Sequence, residues 1–301
     1  MAETGGVHVE FLAGPRLLPT SPPPYRSSVS FNRARSALIG TRFGDLRSVA
    51  ETGSTNADML TLLRSAGLAG LDAPGPIVLI ADHQTSGRGR LDRVWQAPPG
   101  ASVLMSIGMP LVALPADRRS MLTTALSLAV TDATSELGIP EVGVKWPNDL
   151  VAGAPNHRKL GGILAEVHLV DGVGECVIAG VGLNVNWPEI PGDLADIATS
   201  MNQLVGHEVD RDDLVIALLR SLDQRWLPAL EGGAAGLSTL GDAARDRSAT
   251  LGRRVRVELP RGELIGVASD IGADGALTVI DDGGVAHTVT VGDVVHLRTT
   301  D

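Results

Sequence analysis

The sequence predicts an α+β fold in two domains, and two observations support this prediction. Along most of the 301 residues, short β-prone runs bounded by Gly and Pro alternate with stretches of helical periodicity. From about Thr250 onwards, five short β-prone runs separated by turn clusters are typical of a small barrel of roughly 50 residues. We therefore expect an extension at residues 1–45, a larger domain at 46–245 and a barrel at 246–301.

The composition excludes several classes of protein. An apolar content of 44% is sufficient for a globular core, and no apolar run reaches the roughly 18 to 20 residues that span a bilayer. The net charge of −10 argues against broad nucleic-acid binding, because that binding depends on cations that neutralise phosphates. The single cysteine, Cys176, can form no internal disulfide and fits a reducing compartment. We expect a cytoplasmic protein with no membrane or DNA partner.

The first 45 residues differ from the rest of the chain. They contain a Ser-Pro-Pro-Pro run and scattered Gly, and no helical or strand period is sustained in them. We expect this segment to be a flexible extension.

The larger domain follows with alternating strands and helices. The predicted strands are the runs at 76–81, 102–107, 142–146, 163–170 and 175–186, and the predicted helices begin near Thr55 and cover 115–138 and 211–230. A hairpin through Asp171 and Gly172 is expected to join the last two strands.

A cationic loop lies between the β-prone runs at 76–81 and 102–107. Its centre is Gly87-Arg88-Gly89-Arg90, in which glycine allows the backbone to approach a ligand and each arginine offers a fork suited to phosphate or carboxylate. The spacing does not match a Walker loop, which requires Gly-Lys-Ser/Thr. We therefore predict a lid that orders over an anionic ligand.

Only two of the 25 basic residues are lysine, and both are candidates for functional sites. Lys145 is followed by Trp-Pro-Asn-Asp at the end of a predicted strand, and Lys159 precedes Leu-Gly-Gly at the start of another. In a chain that otherwise uses arginine, a retained lysine suggests a site that needs a compact ammonium, although chance is the alternative. Asn148 and Asp149 could equally be ordinary turn residues.

A third candidate site is Ser54-Thr55-Asn56, just before a predicted helix. Hydroxyl and amide groups at a helix start commonly cap the helix, and from spacing alone this is the favoured interpretation. The same groups can also hold a polar ligand.

Taken in order, these motifs resemble those of the biotin protein ligase family, also called biotin-[acetyl-CoA-carboxylase] ligase. The motifs are STN at 54–56, HQTSGRGR at 83–90, KWPND at 145–149, KLGGILAE at 159–166 and GVGLNVN at 180–186. The resemblance implies a catalytic domain of the class II synthetase type, with helices packed on a mixed sheet, followed by an SH3-like barrel. Some relatives carry an N-terminal helix-turn-helix; the region before Ala50 lacks the two periodic helices of such a domain, so we expect the form without it.

The family reaction joins biotin and ATP to form biotinyl-5′-AMP and then biotinylates a lysine of a biotin carboxyl carrier protein. The resemblance implies ATP, Mg²⁺ and biotin as substrates, a carrier domain as partner and no tightly bound prosthetic group. Catalytic roles are implied for Arg88, Lys159, Lys145 and Asp149. Biotin contacts are implied for Ser54, Thr55, Asn56, Gln84, Arg88, Gly89, Arg90 and Lys159. Adenylate contacts are implied for Arg88, Arg90, Asn148, Lys159 and Asn184, and the metal ligands remain unassigned.

Two alternatives remain open at this stage. A lipoate or octanoate ligase would share the fold and the adenylate chemistry, although the Gly-Arg loop and KWPND resemble the biotin branch. The second alternative is a biotin sensor without catalytic activity, which ATP-dependent transfer would exclude.

Overall fold

The computed structural model describes residues 31–68, 75–91, 93–111, 114–153, 157–259, 262–290 and 292–296. The strands are β1 (Asp45–Thr52), β2 (Ile77–Gln84), β3 (Gly87–Arg88), β4 (Val94–Trp95), β5 (Ser102–Pro110), β6 (Gly143–Lys145), β7 (Asp149–Ala152), β8 (Arg158–Val170), β9 (Gly174–Asn184), β10 (Arg254–Glu258), β11 (Glu263–Ile271), β12 (Leu277–Asp281), β13 (Ala286–Val289) and β14 (Asp293–His296). The α-helices are α1 (Asn32–Ala37), α2 (Thr55–Leu68), α3 (Met121–Glu136), α4 (Met201–Val205), α5 (Arg211–Ser221), α6 (Leu227–Glu231) and α7 (Gly233–Asp246).

The larger domain is built on a seven-stranded mixed sheet. Its strand order is β1-β2-β5-β9-β8-β7-β6, in which β1 and β2 are parallel and all other neighbours are antiparallel. The predicted hairpin between β8 and β9 is present, with Val170 paired to Gly174. The mixed sheet with packed helices is confirmed.

Alternation along the strands gives the sheet two different faces. On β5, Val103, Met105 and Ile107 belong to the large core that also contains the buried residues of α3 and α5. The intervening residues of β5 face the opposite side, where Ser106 contacts the first turn of α2. This second face carries the candidate site.

The expectation of a flexible extension is wrong for residues 31–45. Helix α1 lies in this segment, and its backbone is tied to the first turn of α5 because Ala34 N donates to Asp212 Oδ1 at 2.8 Å. The apolar side chains of the segment are buried in the large core: Phe31, Ala34, Leu38 and Phe43. The sequence signal was missed because the helix has only six residues, too few to establish a period. Residues 1–30 lie outside the described ranges.

Two predicted helices are shorter than expected. The stretch at 115–138 contains a 3₁₀ turn at Ala116–Arg118 before α3 begins. The stretch at 211–230 is divided by a π turn, in which Leu227 N bonds to Leu222 O, five residues earlier. Pro228 follows directly and has no N–H to continue the α-helical pattern.

The second domain is a five-stranded antiparallel sheet in the order β13-β12-β11-β10-β14, as expected for the small barrel. Trp146 of the larger domain is part of its apolar core, together with residues such as Val255 and Leu277. The indole Nε1 donates to Gly275 O at 2.9 Å, and the Trp146 backbone N–H donates to Thr250 Oγ1 at 2.9 Å. Trp146 therefore joins the two domains.

Taken over the described ranges, no helix combines the length and the apolar character needed to cross a bilayer.

Adjacent substitutions test whether the N-terminal segment is part of the core. Leu38 is fully buried, so Leu38→Ala should lower the free energy of unfolding by about 2–5 kcal/mol. Its neighbour Ile39 is 75% exposed, and Ile39→Ala should change stability by about 0.5 kcal/mol or less. Urea unfolding measures both variants, and equal effects would contradict the packed arrangement.

Candidate active site

The candidate site lies on the second face of the seven-stranded sheet. One cross-strand row runs through Leu104, Gly182, Gly162, Asp149 and Lys145, which are paired in register from β5 to β6. The two glycines remove side-chain volume from the middle of the row, and the charged pair lies at its end. This part of the sheet surface therefore has little side-chain volume at its centre, and a lysine and a carboxylate lie at one end of it.

The STN segment packs over the neighbouring row at the start of α2. Thr55 N and Oγ1 donate to Gln84 Oε1 at 2.7 and 3.0 Å, so β2 and α2 hold each other in place. Ser54, Thr55 and Asn56 are all buried. The predicted biotin residues Ser54, Thr55, Asn56 and Gln84 are thus brought together.

Two residues that the sequence analysis missed complete this cluster. Ser106 Oγ lies 2.7 Å from Thr55 Oγ1 and donates to Asn56 Oδ1 at 2.6 Å. Glu166 Oε2 accepts from Asn56 Nδ2 at 2.9 Å. A serine inside the apolar run 103–109 was the available signal for Ser106, and Glu166 is the last residue of the KLGGILAE motif.

The Gly-Arg loop forms a short hairpin in which β3 pairs with β4. Gly87 is opposite Trp95, and a Cβ on this glycine would lie 2.4 Å from the Trp95 carbonyl oxygen, so the close approach requires glycine. Gly89 N donates to Arg93 O at 2.7 Å and narrows the turn. The described residues of the segment predicted to be a lid form a hairpin, and Asp92 lies outside the described ranges.

The arginines of this hairpin point to different partners. Arg88 Nη2 contacts Glu166 Oε2 at 2.9 Å, next to Asn56. Arg90 Nη1 donates to Asn148 Oδ1 at 3.0 Å and to Asp293 Oδ1 at 3.1 Å, so it reaches the KWPND turn and the barrel. Arg93, which was not predicted as a site residue, also pairs with Asp293, at 2.8 Å.

Both lysines of the chain lie in the same charged cluster. Lys159 Nζ is 2.7 Å from Asp149 Oδ1 and 5.8 Å from the centre of the Trp95 ring. A β-bulge between β7 and β8 accompanies this placement, since Leu150 pairs with Gly161 but Val151 pairs with Lys159. Lys159 and Arg88 thus have different carboxylate partners.

Burial lowers the pKa of the Lys145 ammonium below its ordinary value. The nearby carboxylates of Asp149 and Asp293 oppose this shift in pKa, whereas the positive charges of Lys159 and Arg93 add to it. Lys145 is therefore poised to give up its proton more readily than an exposed lysine.

The adenylate candidates Asn148 and Asn184 have different surroundings. Asn148 Nδ2 donates to Ile163 O at 2.7 Å, and Asn148 Oδ1 accepts a hydrogen bond from Arg90 Nη1, so the orientation of the amide is fixed. Asn184 Nδ2 donates to Thr199 O at 3.0 Å, but the buried Asn184 Oδ1 has no hydrogen-bond partner among the residues that the structure describes.

Two further buried polar atoms, Thr199 Oγ1 and Trp95 Nε1, likewise have no partner within the described ranges. The Trp95 ring lies on Gly182, where a Cβ would come within 2.8 Å of it. Thr199 belongs to a segment that runs beside Lys159, with Lys159 N donating to Ile197 O and Thr199 N donating to Lys159 O. Unpaired buried groups of this kind suit a polar ligand.

A metal cage formed by the protein alone is not present in the described ranges, since no three His, Cys, Asp or Glu side chains there come together. Asp149 is the carboxylate beside both lysines. Separate carboxylates that are each paired with a cation suit a Mg²⁺ ion that is carried mainly by the phosphates of a nucleotide.

The pKa of Lys145 leads to a pH-dependent prediction for stability. Its pKa is lower in the folded than in the unfolded protein, so the unfolded state binds more protons between the two values and stability rises with pH through that window. Lys145→Met should be more stable than the wild type at neutral pH, and the difference should shrink as the pH approaches the ordinary lysine range near about 10.4. Urea unfolding at several pH values measures this, and a pH-independent difference would contradict it.

Comparisons with known proteins agree on one family. Residues 54–184 match the biotin/lipoate A/B protein ligase family, and residues 250–297 match the biotin protein ligase C-terminal domain. The chain is 42% identical over 273 residues to the biotin-[acetyl-CoA-carboxylase] ligase of Mycobacterium tuberculosis, which covers 88% of this chain and 94% of that protein. It is 30% identical over 220 residues to the bifunctional ligase/repressor BirA of Bacillus subtilis, covering 72% of this chain and 66% of that protein.

The fold agrees with a solved structure. The biotin protein ligase of Aquifex aeolicus, determined in complex with biotin and ATP, has a TM-score of 0.67, is 24% identical and covers 85% of this chain and 100% of its own. This likeness supports the fold, and the identity to the M. tuberculosis protein along nearly the whole of both chains supports the family. The chain belongs to the biotin protein ligase family.

Proposed function

We propose that the protein is an ATP-dependent biotin protein ligase. It converts biotin and ATP to biotinyl-5′-AMP and pyrophosphate and then transfers biotin to a lysine of a biotin carboxyl carrier domain. The observation that carries this proposal is that one sheet face joins the STN and Gln84 cluster to the cationic cluster of Lys145 and Lys159. The 42% identical M. tuberculosis ligase supports the same reaction.

The head of biotin is a cyclic urea, which needs directed hydrogen bonds. The buried side chains of Ser54, Thr55 and Asn56 and the partly buried side chain of Gln84 supply donors and acceptors for it. Because several of these groups already bond to each other, their positions are fixed before the ligand arrives. Fixed polar groups of this kind reduce the cost of ordering the site on binding.

In the first reaction, a biotin carboxylate oxygen attacks the α-phosphorus of ATP and the bond to the pyrophosphate oxygen breaks. Two anions must approach each other, so positive charge at the reacting atoms is the main requirement. Lys159, Arg88 and Arg90 supply it together with the Mg²⁺ that accompanies ATP. Each of these cationic side chains is already paired with a carboxylate of the protein. When the substrates bind, their anionic groups replace these carboxylates as partners of the cations.

The adenosine part of the adenylate lies near Asn184 in this proposal. The buried Asn184 Oδ1 can accept a hydrogen bond from a ligand, Thr199 Oγ1 can donate or accept one, and Trp95 Nε1 can donate one. The Trp95 ring over Gly182 adds an apolar surface beside them.

In the second reaction, the neutral amine of the carrier lysine attacks the acyl carbon of the mixed anhydride, the bond to AMP breaks and the amine loses a proton. Asp149 is placed to orient that amine because it lies between Lys145 and Lys159 at the end of the glycine row. The hairpin of β3 and β4 would shield the anhydride from water.

The carrier domain as partner and the absence of a DNA partner both form part of the proposal. The cytoplasmic location stays a prediction, which the buried and unpaired Cys176 supports.

Mass spectrometry of a carrier domain tests the function directly. After incubation with the protein, biotin and MgATP, the carrier should gain one biotinyl group, and omission of ATP should abolish the gain. An unmodified carrier in the complete mixture, with biotin bound in calorimetry, would favour the sensor. Tight lipoate binding without biotin binding would favour the lipoate or octanoate ligase.

Charge removal tests the activation step. Lys159→Ala should slow pyrophosphate release by about 100-fold or more, because an oriented charge at the reacting phosphate is lost. Arg88→Ala should also slow it, and Arg119→Ala, which removes a comparable ion pair with Glu175 outside the site, should not. Wild-type pyrophosphate release by either site variant would refute the role assigned to that residue.

A further inference from the structure

We propose that Glu166 is a positioning residue that couples the biotin head subsite to the Gly-Arg hairpin. This inference rests on the proposed function and adds a residue to it. A single oxygen, Glu166 Oε2, accepts hydrogen bonds from Asn56 Nδ2 and from Arg88 Nη2, both at 2.9 Å. One carboxylate therefore touches the subsite and the hairpin at the same time.

The contact with Asn56 fixes which end of its amide faces which partner. Glu166 carries only acceptors, so it selects the amide nitrogen, and the amide oxygen then receives the Ser106 hydroxyl at 2.6 Å. A reversed amide would place its oxygen against the carboxylate. In the selected orientation, the second lone pair of Asn56 Oδ1 is available to an N–H group such as those of a cyclic urea.

The Asn56 amide has little freedom to move away from this position. It lies on the backbone of β9 at Gly180, where a Cβ would come within 2.5 Å of Asn56 Oδ1. Ser106 and Leu164 flank Gly180 on the adjacent strands, and the Leu164 carbonyl is 3.4 Å from Asn56 Nδ2. The sheet, the hydroxyl and the carboxylate together hold the amide.

The contact with Arg88 is of a different kind. The Arg88 side chain is 51% exposed and that of Glu166 is 25% exposed, so water screens their attraction and a substrate anion can replace it. Because the guanidinium and the Asn56 amide share one oxygen, a change at one of them alters the hydrogen bond of the other. Occupation of the head subsite is thereby linked to the position of the hairpin.

The substitution Glu166→Gln tests this coupling because it keeps the size of the side chain and removes its charge. Biotin affinity in calorimetry should fall about ten-fold, since Asn56 can then adopt the reversed orientation. In the wild type, biotin should slow trypsin cleavage after Arg88, Arg90 and Arg93. In the variant, saturating biotin should bind without slowing that cleavage.

Glu175→Gln is the matched control. Glu175 pairs with Arg119 at 2.8 Å, a contact of the same type at the start of β9 and outside the site, so this variant should keep both the affinity and the protection. Arg88→Gln gives a second route to the same answer, because it breaks the link and leaves the Glu166 contact with Asn56 in place. It should lose the protection by saturating biotin, measured as cleavage after Arg90 and Arg93.

The possible results separate the coupling from the function. If Glu166→Gln binds biotin like the control and is still protected by it, the coupling is refuted; the same holds if Arg88→Gln retains protection after Arg90 and Arg93. Thermal unfolding identifies a folding defect, in which case the Arg88→Gln arm decides. Failure of the wild type to bind biotin would instead refute the proposed function.

Discussion

The site depends on a constraint of the β-sheet, namely that successive residues of a strand point to opposite faces. One face of the seven-stranded sheet carries apolar side chains that pack against helices, as Val103 and Met105 do. On the other face the central strands carry Ser106, Gly180 and Gly182, and the space left by these small residues is taken by Asn56 and Trp95. Asn56 and Trp95 can therefore pack directly on the sheet because the residues beneath them have small side chains or none. The polar groups of the site are held by contacts with the backbone and with one another.

Electrostatic balance is the second feature of the site. The cations expected to meet anionic substrates each have a carboxylate within hydrogen-bond distance: Glu166 for Arg88, Asp293 for Arg90 and Asp149 for Lys159. The more exposed pairs, Arg88 with Glu166 and Lys159 with Asp149, contribute about 1 kcal/mol or less each, so they orient the side chains at small cost to substrate binding. In this protein of net charge −10, the carboxylates hold the cations of the site in defined positions and reduce the repulsion between their positive charges.

The sequence motifs were sufficient to predict the mixed sheet and the small second sheet, and they singled out the segments around Thr55 and Lys159 as candidates for the site. Contacts that are set by strand register or by residues distant in the sequence were not predictable. The bulge between β7 and β8 sets the face on which Lys159 lies, and no alternation of apolar residues announces it. Asp293 approaches Arg90 across 203 positions of the chain, and Ser106 reads as one polar residue in an apolar run. The short helix α1 was missed because local periodicity needs more than six residues, whereas its burial comes from contacts with the distant α5.

The position of Trp146 has a consequence for the independence of the two domains. Its ring completes the apolar core of the barrel, while its neighbours in the chain, Lys145 and Asn148, belong to the charged end of the site. A shift of the barrel would be transmitted through one or two peptide units to these side chains, a distance too short for the backbone to absorb it. The barrel consequently helps to position the residues of the site. If the chain were cut between α7 and β10, the Trp146 side chain would lose its packing partners and the KWPND turn would lose its support.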